Sequence, residues 1–207
     1  MPTLLANGGP VMWLIIIAAA TAAVVFIERA LYCHRSQINS AEFLNGVRTV
    51  VKRGNVVEAI SICDATPGPV ARLVKAAILH REQGRDRVRE AVEEAGLIEV
   101  PRLEEKLNLL ATIAQISPLL GLFGTIVGFI NIFMLMQQQG PYMAIGGGPN
   151  SLAAGIWEAL ICAAAGIAVA IPAHAGYNYL VSRVNKIVLD MERAAAEIVN
   201  IVTENGK

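Results

Sequence analysis

Charged residues are scarce in this sequence. Only 16% of the 207 residues are Asp, Glu, Lys or Arg, whereas 55% are hydrophobic. A soluble domain is usually about one quarter charged. Lys plus Arg and Asp plus Glu number 17 each, and this zero net charge gives no electrostatic support for nucleic-acid binding. The composition therefore indicates a membrane protein and not a soluble domain.

The sequence also lacks the residue clusters that metal centres and catalytic sites require. Its three cysteines, Cys33, Cys63 and Cys162, are widely separated and form no CxxC motif, so we interpret them as small apolar fillers. No Ser-His-Asp or Cys-His arrangement and no pair of carboxylates can be assembled. We expect no enzymatic activity, no cofactor and no metal.

Three long runs contain almost no charge. Val11 to Ile27 and Leu107 to Met136 are uncharged, and Ser151 to Leu180 contains one carboxylate, Glu158, and one histidine, His174. A bilayer core of about 30 Å requires roughly 20 apolar residues, so we predict three transmembrane helices. No Lys or Arg precedes the first run and no clear cleavage site follows it, which favours a retained anchor over a signal peptide.

The positive charges predict the direction of these spans. Thirteen of the 17 Lys and Arg residues lie between Arg29 and Lys106, and the other four follow the third run. The positive-inside rule then predicts a periplasmic N-terminus and a cytoplasmic C-terminus. The predicted segments are 1–31 (outer N-terminus and first span), 32–106 (cytoplasmic helical domain), 107–136 (second span), 137–150 (periplasmic loop), 151–180 (third span) and 181–207 (cytoplasmic C-terminal helix).

Helical periodicity continues outside the spans. Gly54-Asn55 and Pro67-Gly68-Pro69 divide the polar stretch into separate helices. Pro101 suits the first turn of a helix, so we expect one rod from Pro101 to Met136, about 54 Å long. The fold class is all-α, with three transmembrane helices, the second and third extended into a helical cytoplasmic domain.

The C-terminal tail contains an apolar seam with spacings of three and four residues. Such a seam packs on another helix. Two arrangements fit: contact with the cytoplasmic helices of the same subunit, or a ring of C-terminal helices from several subunits. The seam consists of Val181, Val184, Val188, Met191, Ala195, Ile198 and Val202.

Small residues share one face of the second span. They are Ser117, Gly121, Gly124, Thr125 and Gly128. A small face in lipid indicates close helix packing, and Gly124 to Gly128 is a GxxxG motif. Without a preceding strand or a lysine, these glycines do not form a phosphate loop. The Thr125 hydroxyl either bonds a partner or water, or bonds back to its own helix carbonyl.

A carboxylate and a histidine lie within the third span. A carboxylate at the depth of Glu158 indicates an ion path or lumen, although a structural bond to a neighbouring helix is the alternative. His174 lies near the cytoplasmic end, where a single histidine is more typical of an interfacial hydrogen-bonding group than of a proton relay. We do not assign it to the site.

Two long motifs resemble a known family. The run from Pro101 to Phe133 (PRLEEKLNLLATIAQISPLLGLFGTIVGFINIF) resembles the second span of the ExbB, TolQ and MotA family of proton-channel proteins. The run from Gly155 to Asn178 (GIWEALICAAAGIAVAIPAHAGYN) is similar to that family's third span. Glu28-Arg29 after the first span extends the likeness over most of the chain, which is closer to ExbB and TolQ than to four-span MotA.

The resemblance implies a function and a set of partners. It implies a pentamer in the inner membrane around the single-span helices of a dimeric ExbD-like or TolR-like partner with a membrane aspartate. Proton flow would drive work across the envelope, with a TonB-like or other envelope protein and membrane lipid as further partners and no nucleic acid. Thr125 and Glu158 match the family's pore threonine and third-span glutamate.

Six further residues are predicted to surround this path. Ser117, Gly121, Gly124, Gly128, Cys162 and Ala163 are expected to line the pore or to contact a partner helix. Ala163 departs from the family, which commonly has a second threonine at this position. Cys162 beside it is a poor substitute for a hydroxyl group.

The coupling ion is expected to be the proton. A sodium ion requires several oxygen ligands, whereas Ala163, Ala164 and Ala165 offer none in their side chains and Cys162 offers only sulfur. Two other functions remain open at the level of sequence. One is a non-conducting membrane scaffold for envelope partners, and the other is a self-contained ion channel.

Overall fold

The computed structural model describes residues 9–36, 40–139 and 152–204, and within these ranges it contains helices and no strand. The elements are α1 (Gly9–Ser36), α2 (Ser40–Lys52), α3 (Val56–Ala65), α4 (Pro69–Leu79), a 3-10 turn (Arg81–Gln83), α5 (Arg85–Glu104), α6 (Leu107–Gln139) and α7 (Leu152–Glu204). Three stretches, which contain α1, α6 and α7, are long and apolar enough to cross a membrane. The all-α class with three candidate spans is therefore confirmed.

α6 begins at Leu107, the predicted start of the second span, but the expected continuous rod from Pro101 to Met136 is wrong. Pro101 lies inside α5, which ends at Glu104. Lys106 then adopts a left-handed conformation with φ of 63°, and α6 begins at Leu107. A left-handed residue interrupts the helical hydrogen-bond ladder. α5 tolerates the proline because the carbonyl that loses its partner belongs to Leu97, whose side chain is exposed.

The third span continues without interruption into the C-terminal helix. α7 runs through Pro172 and through the predicted boundary at 180/181 to Glu204. The extension of this span is therefore confirmed. The predicted loop at 137–150 lies mostly outside the described residues, and α6 itself continues to Gln139.

The chain divides into two compact units. The first, which we call the membrane unit, comprises Met1–Ile27 and Lys106–Asn178. The second, the polar unit, comprises Glu28–Glu105 and Tyr179–Lys207. All three candidate spans contribute to the membrane unit.

Short amphipathic helices build the core of the polar unit. Buried apolar residues recur every three or four positions on α2 to α5, as the helical period requires. The predicted breaks are confirmed: Gly54 has φ of 77° between α2 and α3, and Gly68 has φ of 125° before α4. Asn55 caps α3, because its side-chain oxygen accepts the Glu58 amide at 3.4 Å and its amide donates to the Glu58 carboxylate at 2.8 Å.

The C-terminal seam packs within the chain. Val184, Met191, Ile198 and Val202 are buried, while the other members of the seam are half-buried. The Arg85 guanidinium at the start of α5 donates to the Asn200 side-chain oxygen at 3.2 Å. The structure thus shows the intrasubunit arrangement for this seam.

The three cysteines are buried and are not joined by disulfides. Burial raises the pKa of the Cys63 thiol to about 11, and the neighbouring Asp64 adds to the rise. This thiol is therefore protonated near neutral pH and is a poor nucleophile. The interpretation of the cysteines as apolar fillers agrees with this placement.

A buried carboxylate lies between two arginines near the end of α5. Glu99 is 5% exposed, and its two oxygens pair with Arg72 at 2.8 Å and with Arg102 at 3.0 Å. A second buried charge lies beside it: the Arg29 side chain is 5% exposed, pairs with Glu105 at 3.0 Å and donates to the Arg102 carbonyl at 3.2 Å. These pairs tie α4, α5 and the end of α1 together.

Glu99→Ala is expected to lower the free energy of unfolding by about 2 kcal/mol, because it removes the buried carboxylate that Arg72 and Arg102 share. Glu93→Ala is the matched control. Glu93 also pairs with an arginine, Arg89 at 2.8 Å, but it is exposed, so its loss should cost less than about 0.5 kcal/mol. Unfolding of both variants in detergent would measure the difference, and equal losses would contradict the structural role of Glu99.

Candidate functional site

Glycines allow α6 and α7 to approach at backbone distance. A Cβ atom added to Gly121 would lie 3.0 Å from the Cys162 carbonyl oxygen, and one added to Gly124 would lie 2.7 Å from the Cys162 Cβ. A Cβ added to Gly128 would lie 3.1 Å from the Ala159 Cβ. As residue numbers rise on α6 they fall on α7, so the two helices pack antiparallel.

The closest approach to backbone atoms is at Gly166 on α7. A Cβ there would lie 2.6 Å from the Ser117 carbonyl oxygen and 2.9 Å from the Gly121 Cα. Ser117 itself is buried, and its hydroxyl donates to the Ile113 carbonyl at 2.6 Å. The serine is therefore satisfied within its own helix.

The six residues expected to line a pore or contact a partner helix thus all lie at the α6–α7 contact inside one chain. Gly121 and Gly124 face Cys162, with Ala163 also beside Gly121, whereas Gly128 faces Ala159 and Ser117 faces Gly166. The close helix packing inferred from the small face has its counterpart in these contacts. A pore-lining role for the same residues stays a prediction.

Thr125 is half-buried at the edge of this contact. Its hydroxyl donates to the Leu122 carbonyl at 2.6 Å, which is the back-bonded alternative considered from sequence. The hydroxyl hydrogen is therefore occupied, while the oxygen keeps lone pairs that can accept a further hydrogen bond. In this state the Thr125 oxygen can accept a hydrogen bond from a donor such as water or a protonated carboxylic acid.

The first helix covers one side of the α6–α7 pair. A Cβ on Gly124 would lie 3.3 Å from a methyl carbon of Val11, and a Cβ on Gly176 would lie 2.9 Å from the Phe26 ring. An apolar cavity lined by Phe26, Leu110 and Val169 lies along the same side. We call this side the α1 flank.

Helix geometry places Thr125 on the opposite side. Gly124 and Cys162 contact each other on the α1 flank. Thr125 follows Gly124 by one residue, and Ala163 follows Cys162 by one residue. Each step turns the side chain by 100° about its helix axis, toward the other edge of the contact. We call this edge the open flank, because α7 residues Leu160 and Ile167 on it are exposed.

Glu158 belongs to the α1 flank. It precedes Cys162 by one turn, and it precedes Gly176, the contact of Phe26, by 18 residues or five turns of helix. Its side chain is half-buried. The two residues expected to form one ion pathway, Thr125 and Glu158, therefore lie on opposite flanks of the helix pair.

Sequence reasoning named Cys162 and Ala163 on α7 but missed Gly166 and the placement of α1. Gly166 belongs to a stripe of small residues with helical spacing, Ala159, Cys162, Ala163, Gly166, Ala170 and Ala173, and this spacing could have identified the contact. No pattern in the apolar α1 sequence distinguishes the flank that it covers.

These observations define the class of protein: an all-helical membrane protein with three candidate spans and a close, glycine-mediated contact between the second and third. Residues 65–193 match the family model described as the MotA/TolQ/ExbB proton channel family. This match covers more than half of the chain, and the chain belongs to that family.

Individual relatives agree with this assignment. The chain is 26% identical to the biopolymer transport protein ExbB of Neisseria gonorrhoeae over 93% of its own length and 92% of the relative. It is 39% identical to the Tol-Pal system protein TolQ of Haemophilus influenzae over 50% of its length, spanning 43% of that protein. It is 26% identical to an ExbB homologue of Methanothermobacter thermautotrophicus over 86% of its length, spanning 62% of that protein.

Gly166→Ala is expected to cost about 1–3 kcal/mol of stability, because the new Cβ would overlap the Ser117 carbonyl and force the helices apart. Gly96→Ala is the matched control. Gly96 is also helical, but a Cβ there meets nothing within 4 Å, so alanine should stabilise α5 by about 0.5–1 kcal/mol. Thermal unfolding in detergent would measure both, and a neutral Gly166→Ala variant would contradict the close contact.

Proposed function

We propose that this chain is a subunit of a proton-motive-force-driven motor complex in the inner membrane. It acts as a homo-oligomer, with a pentamer implied by the family resemblance, around an ExbD-like or TolR-like single-span partner that carries a membrane aspartate. The complex energises transport or mechanical work across the cell envelope. The observation that carries the proposal is the open flank. At this edge of the α6–α7 contact, which the chain itself leaves uncovered, Thr125 presents a hydrogen-bond acceptor.

The uncovered edge supports an oligomer. Polar side chains within a membrane usually face a bundle interior or a water-filled cavity and not lipid. α1 covers the opposite flank, so other protein must cover the Thr125 side. A ring of subunits that turn their open flanks inward would enclose this residue, with α1 on the outside.

The chemistry of Thr125 suits a partner that carries a carboxylic acid. Its hydroxyl hydrogen is bonded to Leu122, so the oxygen accepts and does not donate. A protonated aspartic acid donates such a bond, whereas an ionised carboxylate cannot. We infer that Thr125 favours the protonated form of the partner's aspartate at one step of the cycle.

The role of Glu158 is separate from that of Thr125. Its position on the α1 flank, one turn before Cys162, places it in the outer part of the third span in the proposed topology. We propose that it contributes a titratable group to the outer approach to the path and does not share the partner's aspartate with Thr125.

The proposed topology has a periplasmic N-terminus and a cytoplasmic C-terminus. It rests on the concentration of Lys and Arg in 29–106 and after the third span. The polar unit, which contains most of these charges, would then lie in the cytoplasm.

Thr125→Val preserves shape and removes the acceptor oxygen. We expect assembled complexes whose proton flux falls about tenfold, the usual consequence of losing one strong hydrogen bond. Thr125→Ser retains the oxygen and serves as the control, with most of the flux preserved. Dye-monitored proton uptake into vesicles containing the purified complex would measure both variants, and wild-type flux in the valine variant would assign Thr125 to packing alone.

The proposed function is tested by purification and reconstitution. The native complex should contain a small single-span protein with an aspartate in its span, and vesicles containing both chains should take up protons. Uptake should follow a proton gradient and ignore a sodium gradient. Glu158→Gln should lower the flux, whereas Glu192→Gln, an exposed carboxylate change in the polar unit, should not.

Two results would overturn the proposal. The absence of any such partner together with absent ion flux would favour the non-conducting scaffold. Flux by this chain alone would favour a self-contained channel.

A further inference from the structure

A histidine lies on the same flank as the candidate pore threonine. His174 follows Ala163 by 11 residues, three turns of α7, so both occupy one stripe of the helix. Ala163 is on the open flank beside Gly121, whereas the α1 flank contains Gly176 and Val169. The His174 side chain is exposed. It therefore points to the side that α1 does not cover.

The inner half of the span offers few other titratable groups. Residues 10–27 of α1 and 107–139 of α6 contain none, so α7 supplies the titratable side chains within the described spans of this chain. Tyr177, the next titratable residue on α7, is half-buried and lies near the line that faces α6. An imidazole ring has two nitrogens that can accept and donate protons, which suits a relay.

Along the helix axes, the level of Gln115 on α6 lies between the levels of Thr125 and His174. Gln115 of α6 is exposed and lies on the same side of α6 as Thr125, further from α7. It precedes Ser117 by two residues, and Ser117 contacts Gly166 of the antiparallel α7. Gln115 is therefore level with a point on α7 about midway between Ala163 and His174. Its amide both donates and accepts hydrogen bonds.

The distances require such an intermediate. Thr125 lies one turn beyond Gly121, which contacts Ala163, and at 1.5 Å per residue the hydroxyl and the imidazole are about 20 Å apart along the helices. No proton crosses that distance in one step. Water held by Gln115 of each subunit in the proposed oligomer would divide this distance into shorter proton transfers.

We propose that His174 is the cytoplasmic-side proton relay of this pore: it accepts the proton released from the partner's aspartate through water ordered by Gln115 and passes it to the cytoplasm. The proton is carried as imidazolium and leaves from the same ring, so no other co-reactant is needed. This inference rests on the proposed function and adds an exit group that lies outside the motif residues Thr125 and Glu158.

Proton uptake by vesicles containing the complex with its co-purifying partner tests the inference. His174→Ala should lower the flux about tenfold or more, as expected for loss of a general acid–base group, and added imidazole should restore it. His174→Gln should show the same loss without rescue, because the amide fills the site but does not exchange a proton. Ala175→Val, on the face turned away from α6, is the matched control and should keep wild-type flux.

Each outcome discriminates. Wild-type flux in His174→Ala or His174→Gln would overturn the relay while leaving the proposed function in place. A loss in His174→Ala that imidazole does not reverse, with oligomer mass and partner retention unchanged, would also overturn it by assigning His174 a structural role. A wild-type complex that takes up no protons would remove the proposed function, and the relay with it.

Discussion

The backbone contact between α6 and α7 is the constraint on which the rest of the membrane unit depends. Lipid tails are as apolar as the helices, so there is no hydrophobic driving force for two helices to associate in a membrane. They associate instead through close packing and polar contacts. Gly166 against the Ser117 carbonyl, and Gly121 against the Cys162 carbonyl, provide that packing. Any larger side chain at these points would separate the helices and remove most of the attraction between them.

This contact also determines which side chains remain available. The small residues of α6 pack against α7 of the same chain, so Ser117 and the three glycines of this face are buried. The groups left at the edges are Thr125 and His174 on one flank and Glu158 on the other. The arrangement separates Glu158 and His174 of the third span between different environments, one on the flank that α1 covers and one on the open flank.

The back-bonded hydroxyl of Thr125 limits the chemistry of the open flank. A free hydroxyl both donates and accepts, and would bond an acid in either protonation state. With its hydrogen bonded to Leu122, the oxygen discriminates in favour of a protonated acid. A helix carbonyl three residues away therefore contributes to the selectivity expected of a proton-driven cycle.

The sequence by itself determined the class, the spans and the family resemblance, because long uncharged runs and the small-residue motif are local properties that read directly as membrane helices. It also predicted the helix breaks at Gly54 and Gly68, where φ is positive. It wrongly joined Pro101 to the helix of the second span, because Pro101 fits either a first turn or an exposed helix interior. Only the tertiary structure decided the flanks. The packing of Val11 against Gly124 and of Phe26 against Gly176 determines which edge of the α6–α7 pair α1 covers. The sequence of an apolar helix does not predict this edge, because every face of the helix is equally compatible with lipid.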